Sequence, residues 1–238
     1  MAEHASCVGR KLSRQEISDD VTRLGWRYNL GLVRTSIRVG SLAQAAEVAQ
    51  AVTALAGDSA DGSLSADLRP DRVILTLQSR DEAWVTQREI ELAERISAAV
   101  ADRGLATEAE VGTGAPRSVQ VVEIAIDAVD IGAIRPFWKA VMGYDDEPGG
   151  APGPGAGLAD PFAQYPSIWF QQMDEPRPQR NRIHVDVVVP HDEVDNRMQA
   201  TLAAGGTLVY DAEAPAFWVL ADPEGNEACI CTWQGRDG

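Results

Sequence analysis

Cysteine is scarce in this 238-residue chain. Cys7, Cys229 and Cys231 are the only three, too few and too unevenly spaced for a disulfide framework. Two cysteines two apart on one strand cannot bridge each other without distortion. Histidine is equally rare, with only His4, His184 and His191, so chemistry that needs an imidazole has few places to sit. Basic residues are outnumbered: 21 Lys and Arg face 36 Asp and Glu, for a formal net charge of −15. That balance argues against nucleic acid and anionic membrane surfaces as partners. No apolar run approaches the ~18 residues that would suggest a membrane span. The opening MAEHASCVGRKLSRQE is polar and has no secretory apolar core. The expectation is a soluble, cytoplasmic protein. Aromatic residues are few and unevenly placed, since only Trp26, Tyr28 and Trp84 precede residue 118.

What is present suggests two modest domains, each with its own core. Between the aromatic-poor and aromatic-rich halves lies EAEVGTGAPRS (108–118), a small-residue stretch with Gly and Pro that reads as a linker. The chain therefore divides into a tail (1–12), a first domain (13–107), the linker (108–118) and a second domain (119–238). In the first domain, Ser13 with Glu16 three residues on predicts a capped helix over Arg14–Leu24. Leu30–Val39 alternates and reads as a strand. Ser41 opens a helix with Leu42, Ala45, Ala46, Ala49 and Val52 on one stripe, broken by GDSADGS. Arg72–Gln78 is a second strand, and Thr86–Val100 a helix turning Ile90, Ala93 and Ile96 inward. The order is that of a small α+β layer pair.

The second half carries a repeat. VVEIAIDAVDIGAIRPFWKAVMGY (121–144) and RIHVDVVVPHDEVDNRMQATLAAGG (182–206) each read as an alternating strand, a polar turn with Asp, an amphipathic helix and Gly. Alternation puts Glu123, Ala125 and Asp127 on one face of the first strand, and His184, Asp186 and Val188 on one face of the second. Glu123 and His184 occupy equivalent places. The helices carry Ile134, Phe137 and Val141, and Val194, Met198 and Leu202, at helical spacing; Asp192 is the expected N-cap of the later one. Two such modules side by side form a concave sheet whose inner face is a small-molecule cleft. Trp169, Phe217, Trp218 and Trp233 are candidates to stack a flat ligand there. Glu147–Pro161, rich in Gly and Pro, reads as a connector or a lid.

Residues 20–100, with LGW at 24–26 and ILTLQSRDEAWVTQREIELAERI at 74–96, resemble the pterin-4a-carbinolamine dehydratase family. The resemblance implies that family's fold but not its activity. The family's His-His-Pro falls on Gly62, Ser63 and Leu64, and its later His on Arg80. No histidine occurs between His4 and His184, and Gly, Ser and Arg cannot shuttle a proton near neutral pH. This half is expected to serve assembly or regulation.

Residues 119–234, through the two repeats, DIGAIRPFWKAVMGY and LADPEGNEACICTW, resemble the vicinal oxygen chelate superfamily of glyoxalases, bleomycin-resistance proteins and extradiol dioxygenases. The implied fold is a paired βαβββ domain, so the whole chain is α+β. The family's metal places fall on Glu123, Gln171 (or Gln172), His184 and Cys229, a mixed set in which the usual last carboxylate is replaced by a thiol. This erosion favours a cleft that binds a small organic molecule without a cofactor, with a divalent metal as the alternative. His184 and Glu123 are the polar anchors or acid–base candidates. Asp127, Trp169, Gln171, Asp186, Trp218 and Glu227 are the expected ligand contacts. The competing functions are a lyase, either metal-dependent and glyoxalase-type or a residual 4a-hydroxytetrahydrobiopterin dehydratase, and a non-catalytic scaffold. Relatives of both folds commonly assemble, so a homo-oligomer is expected.

Overall fold

The computed structural model describes residues 12–110, 118–149, 153–177, 179 and 183–235. Most of the expected tail, with His4 and Cys7, and residues 111–117 of the expected linker lie outside the described residues. The chain separates into two compact units, Met1–Val121 and Val122–Gly238. No helix among the described residues is long and apolar enough to cross a membrane.

In the first unit, α1 (Arg14–Thr22) begins as a capping box. The Ser13 hydroxyl accepts from the Glu16 N–H, and the Glu16 carboxylate accepts from the Ser13 N–H at 2.9 Å. Gly25 has φ +80, and a Cβ there would sit 1.9 Å from the Thr107 carbonyl oxygen, so the close approach requires glycine. Trp26 then turns fully into the core, its indole N–H donating to Ser97 Oγ at 2.9 Å. After it come β1 (Arg27–Asn29), β2 (Leu32–Arg38), α2 (Leu42–Ala56), β3 (Leu64–Arg69), β4 (Arg72–Leu77), α3 (Gln87–Ala101) and β5 (Thr107–Glu108). The strands pair antiparallel in the order β1-β2-β4-β3, with β5 added to β2. Val73, Leu75 and Leu77 alternate into a core shared with all three helices.

Two expectations need correction here. The buried stripe of α2 is Ala45, Val48, Val52 and Ala56, while Leu42 is 53 % exposed and Ala46 is exposed. Successive helical residues are rotated by about 100°, so Ala46 points away from the face that Ala45 buries. Leu42 lies in the first turn at the margin of that stripe. β3 was not expected at all: it is a polar edge strand with little buried surface, paired to β4 through a hairpin closed by Pro70 and Asp71.

The second unit holds two copies of one topology. The first is β6 (Glu123–Ala128), α4 (Ile131–Met142), β7 (Asp145–Asp146), β8 (Leu158–Ala159) and β9 (Ser167–Gln172), in sheet order β6-β9-β8-β7. The second is β10 (Val185–Val188), α5 (Val194–Ala203), β11 (Thr207–Tyr210), β12 (Phe217–Ala221) and β13 (Glu227–Cys231), in order β10-β13-β12-β11. In both, the first strand runs parallel to the last and the others pair antiparallel. Among the described residues the two sheets are separate hydrogen-bonded sets and do not merge into one.

The two modules share one core. Ile134, Phe137 and Val141 of α4 are fully buried, and they pack with Ile230, Leu220 and Ala228 of the second sheet. Asp222, only 3 % exposed, ties the modules together. It accepts from the Trp138 indole N–H (3.0 Å), the Glu224 N–H (2.9 Å), the Asn226 N–H (2.8 Å) and the Asn226 side-chain amide (2.8 Å). The DPEGNE segment is therefore a hydrogen-bonded turn that sets the entry of β13. Its Glu224 in turn accepts from the N–H groups of Val129 and Asp130 ahead of α4.

In α5 the N-cap is Glu193, without a side-chain cap, and not Asp192. Thr201 takes the buried place expected of Leu202, which is 41 % exposed. The Thr201 hydroxyl donates to the Arg197 carbonyl at 2.7 Å, so its polar atom enters the core satisfied. The stretch Glu147–Pro161, of which 150–152 lie outside the described residues, includes β8. Arg135 pins its flanks, donating to the Ala156 carbonyl at 2.8 Å and to Asp146 at 2.6 Å.

Candidate functional site

The inner face of the second sheet is a cleft of about 780 Å³. Strand alternation and register decide what lines it. β10 pairs with β13 so that Asp186 stands opposite Cys229, and Val188 opposite Cys231. His184 lies two residues before Asp186, and Glu227 two before Cys229, so all four reach the same face. β12 adds Val219, opposite Cys229, and Phe217, opposite Cys231.

β11 completes the wall through a break in its register. Leu208 pairs with Leu220, but Tyr210 pairs with Val219, leaving Val209 as an extra residue. This irregularity brings both Val209 and Tyr210 to the cleft. Tyr210 stacks on Phe217 with ring centroids 6.0 Å apart and an interplanar angle of 24°, and its hydroxyl donates to Glu213 at 3.3 Å. The result is an aromatic and aliphatic wall beside a polar corner. None of the described residues lining the cleft is Lys or Arg.

At the polar corner, one ligand atom from each of His184, Asp186 and Cys229 lies within 4.8 Å of the others. His184 and Asp186 are exposed, and Cys229 is buried. Burial pushes the Cys229 thiol up to about 12, reinforced by its hydrogen bond to Asp186 and by the nearby Asp186, Cys231 and Glu227 charges. At neutral pH the thiol is therefore protonated and donates to the Asp186 carboxylate.

The remaining expected residues lie elsewhere. Parallel pairing puts Glu123 beside Ser167, Ala125 beside Trp169, and Asp127 beside Gln171, all on one face of the first sheet. Glu123 accepts from the Ser167 hydroxyl at 3.2 Å, and Asp127 meets Arg177 at 3.3 Å. Trp169 is 42 % exposed. A second recess of about 830 Å³ runs along β6 and includes Asp127, Arg177 and Glu227, so Glu227 borders both hollows. Trp218 sits opposite Ile230 and packs against the core, on the face away from Phe217 and Val219. His191 meets Trp233 edge to face at 5.7 Å, away from the cleft lining.

In the first unit, Gly62 and Arg80, where the resemblance to the dehydratases leads one to expect histidines, are neighbours. The Arg80 N–H donates to the Gly62 carbonyl at 3.0 Å. Ser63 is buried and donates to Glu89, which is fully buried, at 2.5 Å. Glu89 also accepts from the Thr86 N–H at 2.8 Å as part of the capping box of α3. This carboxylate is committed to structure.

Residues 123–231 match the family model described as a glyoxalase-like domain. Among solved structures, the chain is similar to a glyoxalase/bleomycin resistance protein/dioxygenase family enzyme from Burkholderia phytofirmans PsJN. The identity is 22 %, covering 46 % of this chain and 95 % of that one, with a TM-score of 0.37. It is similar to a glyoxalase/bleomycin resistance protein from Albidiferax ferrireducens T118 at 17 % identity, covering 46 % and 95 % of the two chains, with a TM-score of 0.36. It is also similar to a transcriptional coactivator/pterin dehydratase from Brucella melitensis at 20 % identity, covering 38 % and 98 %, with a TM-score of 0.34. No curated protein matches the chain.

Proposed function

We propose, from the premise that residues 123–231 form a glyoxalase-like domain, that this domain binds a small organic molecule on the inner face of its second sheet. The observation that carries the reading is one recess joining a stacked aromatic wall to a polar corner. Its ≈ 780 Å³ suits a drug-sized ligand. Tyr210 and Phe217 offer ring faces to a flat or apolar body, while His184, Asp186 and Glu227 orient its polar groups. The carboxylates, and the lack of Lys or Arg among the described lining residues, disfavour anionic ligands. Glu123, Asp127, Trp169 and Gln171, on the first sheet, bind the ligand only if it spans both modules. The first unit serves assembly or regulation: its Ser63–Glu89 pair occupies the place where the dehydratase resemblance puts an imidazole.

One observation favours a metal-dependent lyase as the second reading, namely the convergence of His184, Asp186 and Cys229. Imidazole, carboxylate and thiolate are all ligands of zinc-class ions. The donor set therefore fits a divalent ion held by these three residues. When bound, such an ion would supply Lewis acidity toward a ligand carbonyl or hydroxyl oxygen. Glu227, on the same face, is placed to hold or move a proton of the ligand.

The test is a thermal-shift screen of chelator-treated protein against aromatic amines, aromatic carboxylates and neutral aromatics. Stabilisation by neutral or cationic aromatics, lost in Phe217→Ala and His184→Ala, is expected. Stabilisation that survives both substitutions, or none by any class, refutes the assignment of the cleft.

A further inference from the structure

We propose that β11 is a self-pairing edge, through which two copies of this chain join their second sheets antiparallel about a two-fold axis. β11 ends the sheet order β10-β13-β12-β11 and pairs only with β12. Among the described residues, no backbone group outside the sheet bonds to it. Its outer side therefore presents N–H and C=O groups to solvent, a template for another strand. Proteins guard such open edges with charge or proline, and the other strands with an open side follow that rule. β1 carries Arg27, β3 Asp67 and Arg69, β5 Glu108, β6 Glu123 and Asp127, β7 Asp145 and Asp146, and β10 Asp186. Among the described edges, only β11, with the sequence TLVY, holds neither a charged residue nor a proline. All four of its residues are exposed, and Leu208, Val209 and Tyr210 make it an apolar surface.

A second copy fits this edge because of charge. At −15 the chain repels itself, so a copy approaches closely only where carboxylates do not face each other. Asp211 and Glu213 follow β11, whereas Ala204, Gly205 and Gly206 precede it. Antiparallel two-fold pairing centred between Leu208 and Val209 sets Thr207 of one copy across from Tyr210 of the other. In that register Asp211 stands across from Gly206, and Glu213 across from Ala204. The acidic residues of each copy thus meet small uncharged ones. Parallel in-register pairing would set Asp211 beside Asp211 and Glu213 beside Glu213, which like-charge repulsion disfavours. Two-fold pairing uses both open edges, so it closes at a dimer. The register break between Leu208 and Tyr210 bends the strand, which keeps the contact short and the association weak. Val209 and Tyr210 also line the cleft, so the second copy's strand extends the sheet that forms its floor. The proposal does not depend on what the cleft binds.

The experiment is sedimentation velocity of the full chain from about 1 to 200 µM, at low and high salt, a range suited to a small, weak interface. A monomer–dimer equilibrium that saturates at the dimer is expected. Association is expected to tighten as salt rises, because salt screens the self-repulsion and this pairing has no ion pair to lose. Leu208→Lys is expected to weaken dimerisation about tenfold or more, since each copy then brings a like charge to the edge. Leu208→Thr keeps an uncharged strand former and is expected to cost less than about threefold. Leu42→Lys, on the exposed side of α2 in the first unit, is expected to change nothing. Circular dichroism checks the fold of Leu208→Lys. Independently of any variant, amide exchange over residues 207–210 is expected to slow at dimer-forming concentrations, while exchange in β3 stays constant. A chain that stays monomeric throughout overturns the proposal and leaves the edge to a strand of another protein. Association without a plateau, weakening by salt, or exchange in β11 that ignores concentration overturns it as well. So does a dimer that Leu208→Lys leaves intact or that Leu42→Lys abolishes.

Discussion

Replacing Asp222 by alanine tests how the second unit holds its cleft strands in place. The carboxylate is 3 % exposed and accepts from Trp138, Glu224 and Asn226, the last through both its backbone and its side chain. Hydrogen bonds to a charged group contribute about 1.5–3 kcal/mol each, but all of these share one carboxylate and do not add independently. The turn donors of Glu224 and Asn226 are only partly buried, so water replaces much of what they lose. Trp138 is 3 % exposed, and its indole N–H is left buried and unpaired, at a cost of about 1–3 kcal/mol. With about 0.5–1 kcal/mol for each of the three turn donors, the total is about 2.5–6 kcal/mol, in the range for breaking a buried polar network. Urea unfolding of the full chain, followed by tryptophan fluorescence and far-ultraviolet circular dichroism, measures it. Trp138→Phe removes the largest single loss, so Asp222→Ala in that background costs about 1–3 kcal/mol less. A loss below about 1 kcal/mol for Asp222→Ala, or full additivity with Trp138→Phe, refutes the network as the anchor of this turn.

Further outcomes follow from burial, backbone and titration. The Cys229 thiol, pushed up from 9.0 to about 12, holds about a thousandfold less thiolate at pH 8 than an ordinary thiol, while its greater basicity returns about 20-fold in nucleophilicity. Iodoacetamide labelling of Cys229, read by peptide mass spectrometry, is expected to run at least about 50-fold slower than in urea-unfolded protein and to speed up tenfold per pH unit up to about 11; labelling at the unfolded rate contradicts this. Because the raised pKa favours the neutral thiol, the group's contribution to stability is present below the unfolded pKa and lost as pH rises through the folded one. Val48→Ala, on the buried face of α2, costs about 1–2.5 kcal/mol, whereas Leu42→Ala, at 53 % exposure, costs less than about 0.5 kcal/mol in thermal unfolding. Gly143→Ala is expected to destabilise by about 1–2 kcal/mol in urea unfolding, because its φ is +68 and its Cβ would crowd the Arg197 guanidinium at 2.9 Å.

Local signals made much of the secondary structure legible. Ser13 and Glu16 announced α1, and Ser41 announced α2, because capping is a contest between residues three apart. Ile134, Phe137 and Val141 declared the buried face of α4 by spacing alone. The alternation of His184 with Asp186, and of Glu227 with Cys229, determined which side chains share a strand face. Sequence also determined the acidic charge balance that any partner meets.

Tertiary structure decided what those faces meet. β3 went unseen because an edge strand buries one side weakly and carries little hydrophobic pattern. Tyr210 reaches the cleft only through the register break in β11, and such bulges leave no periodic trace in the residues themselves. Asp186 meets Cys229 because β10 runs parallel to β13, two strands more than thirty residues apart in the chain. Glu123 and Gln171 belong to the first sheet by the same kind of long-range pairing. Periodicity acts between neighbours a few residues apart, so it places a side chain on a face. Which donors then converge within reach of one another is fixed by strand order and register, which the packed core sets.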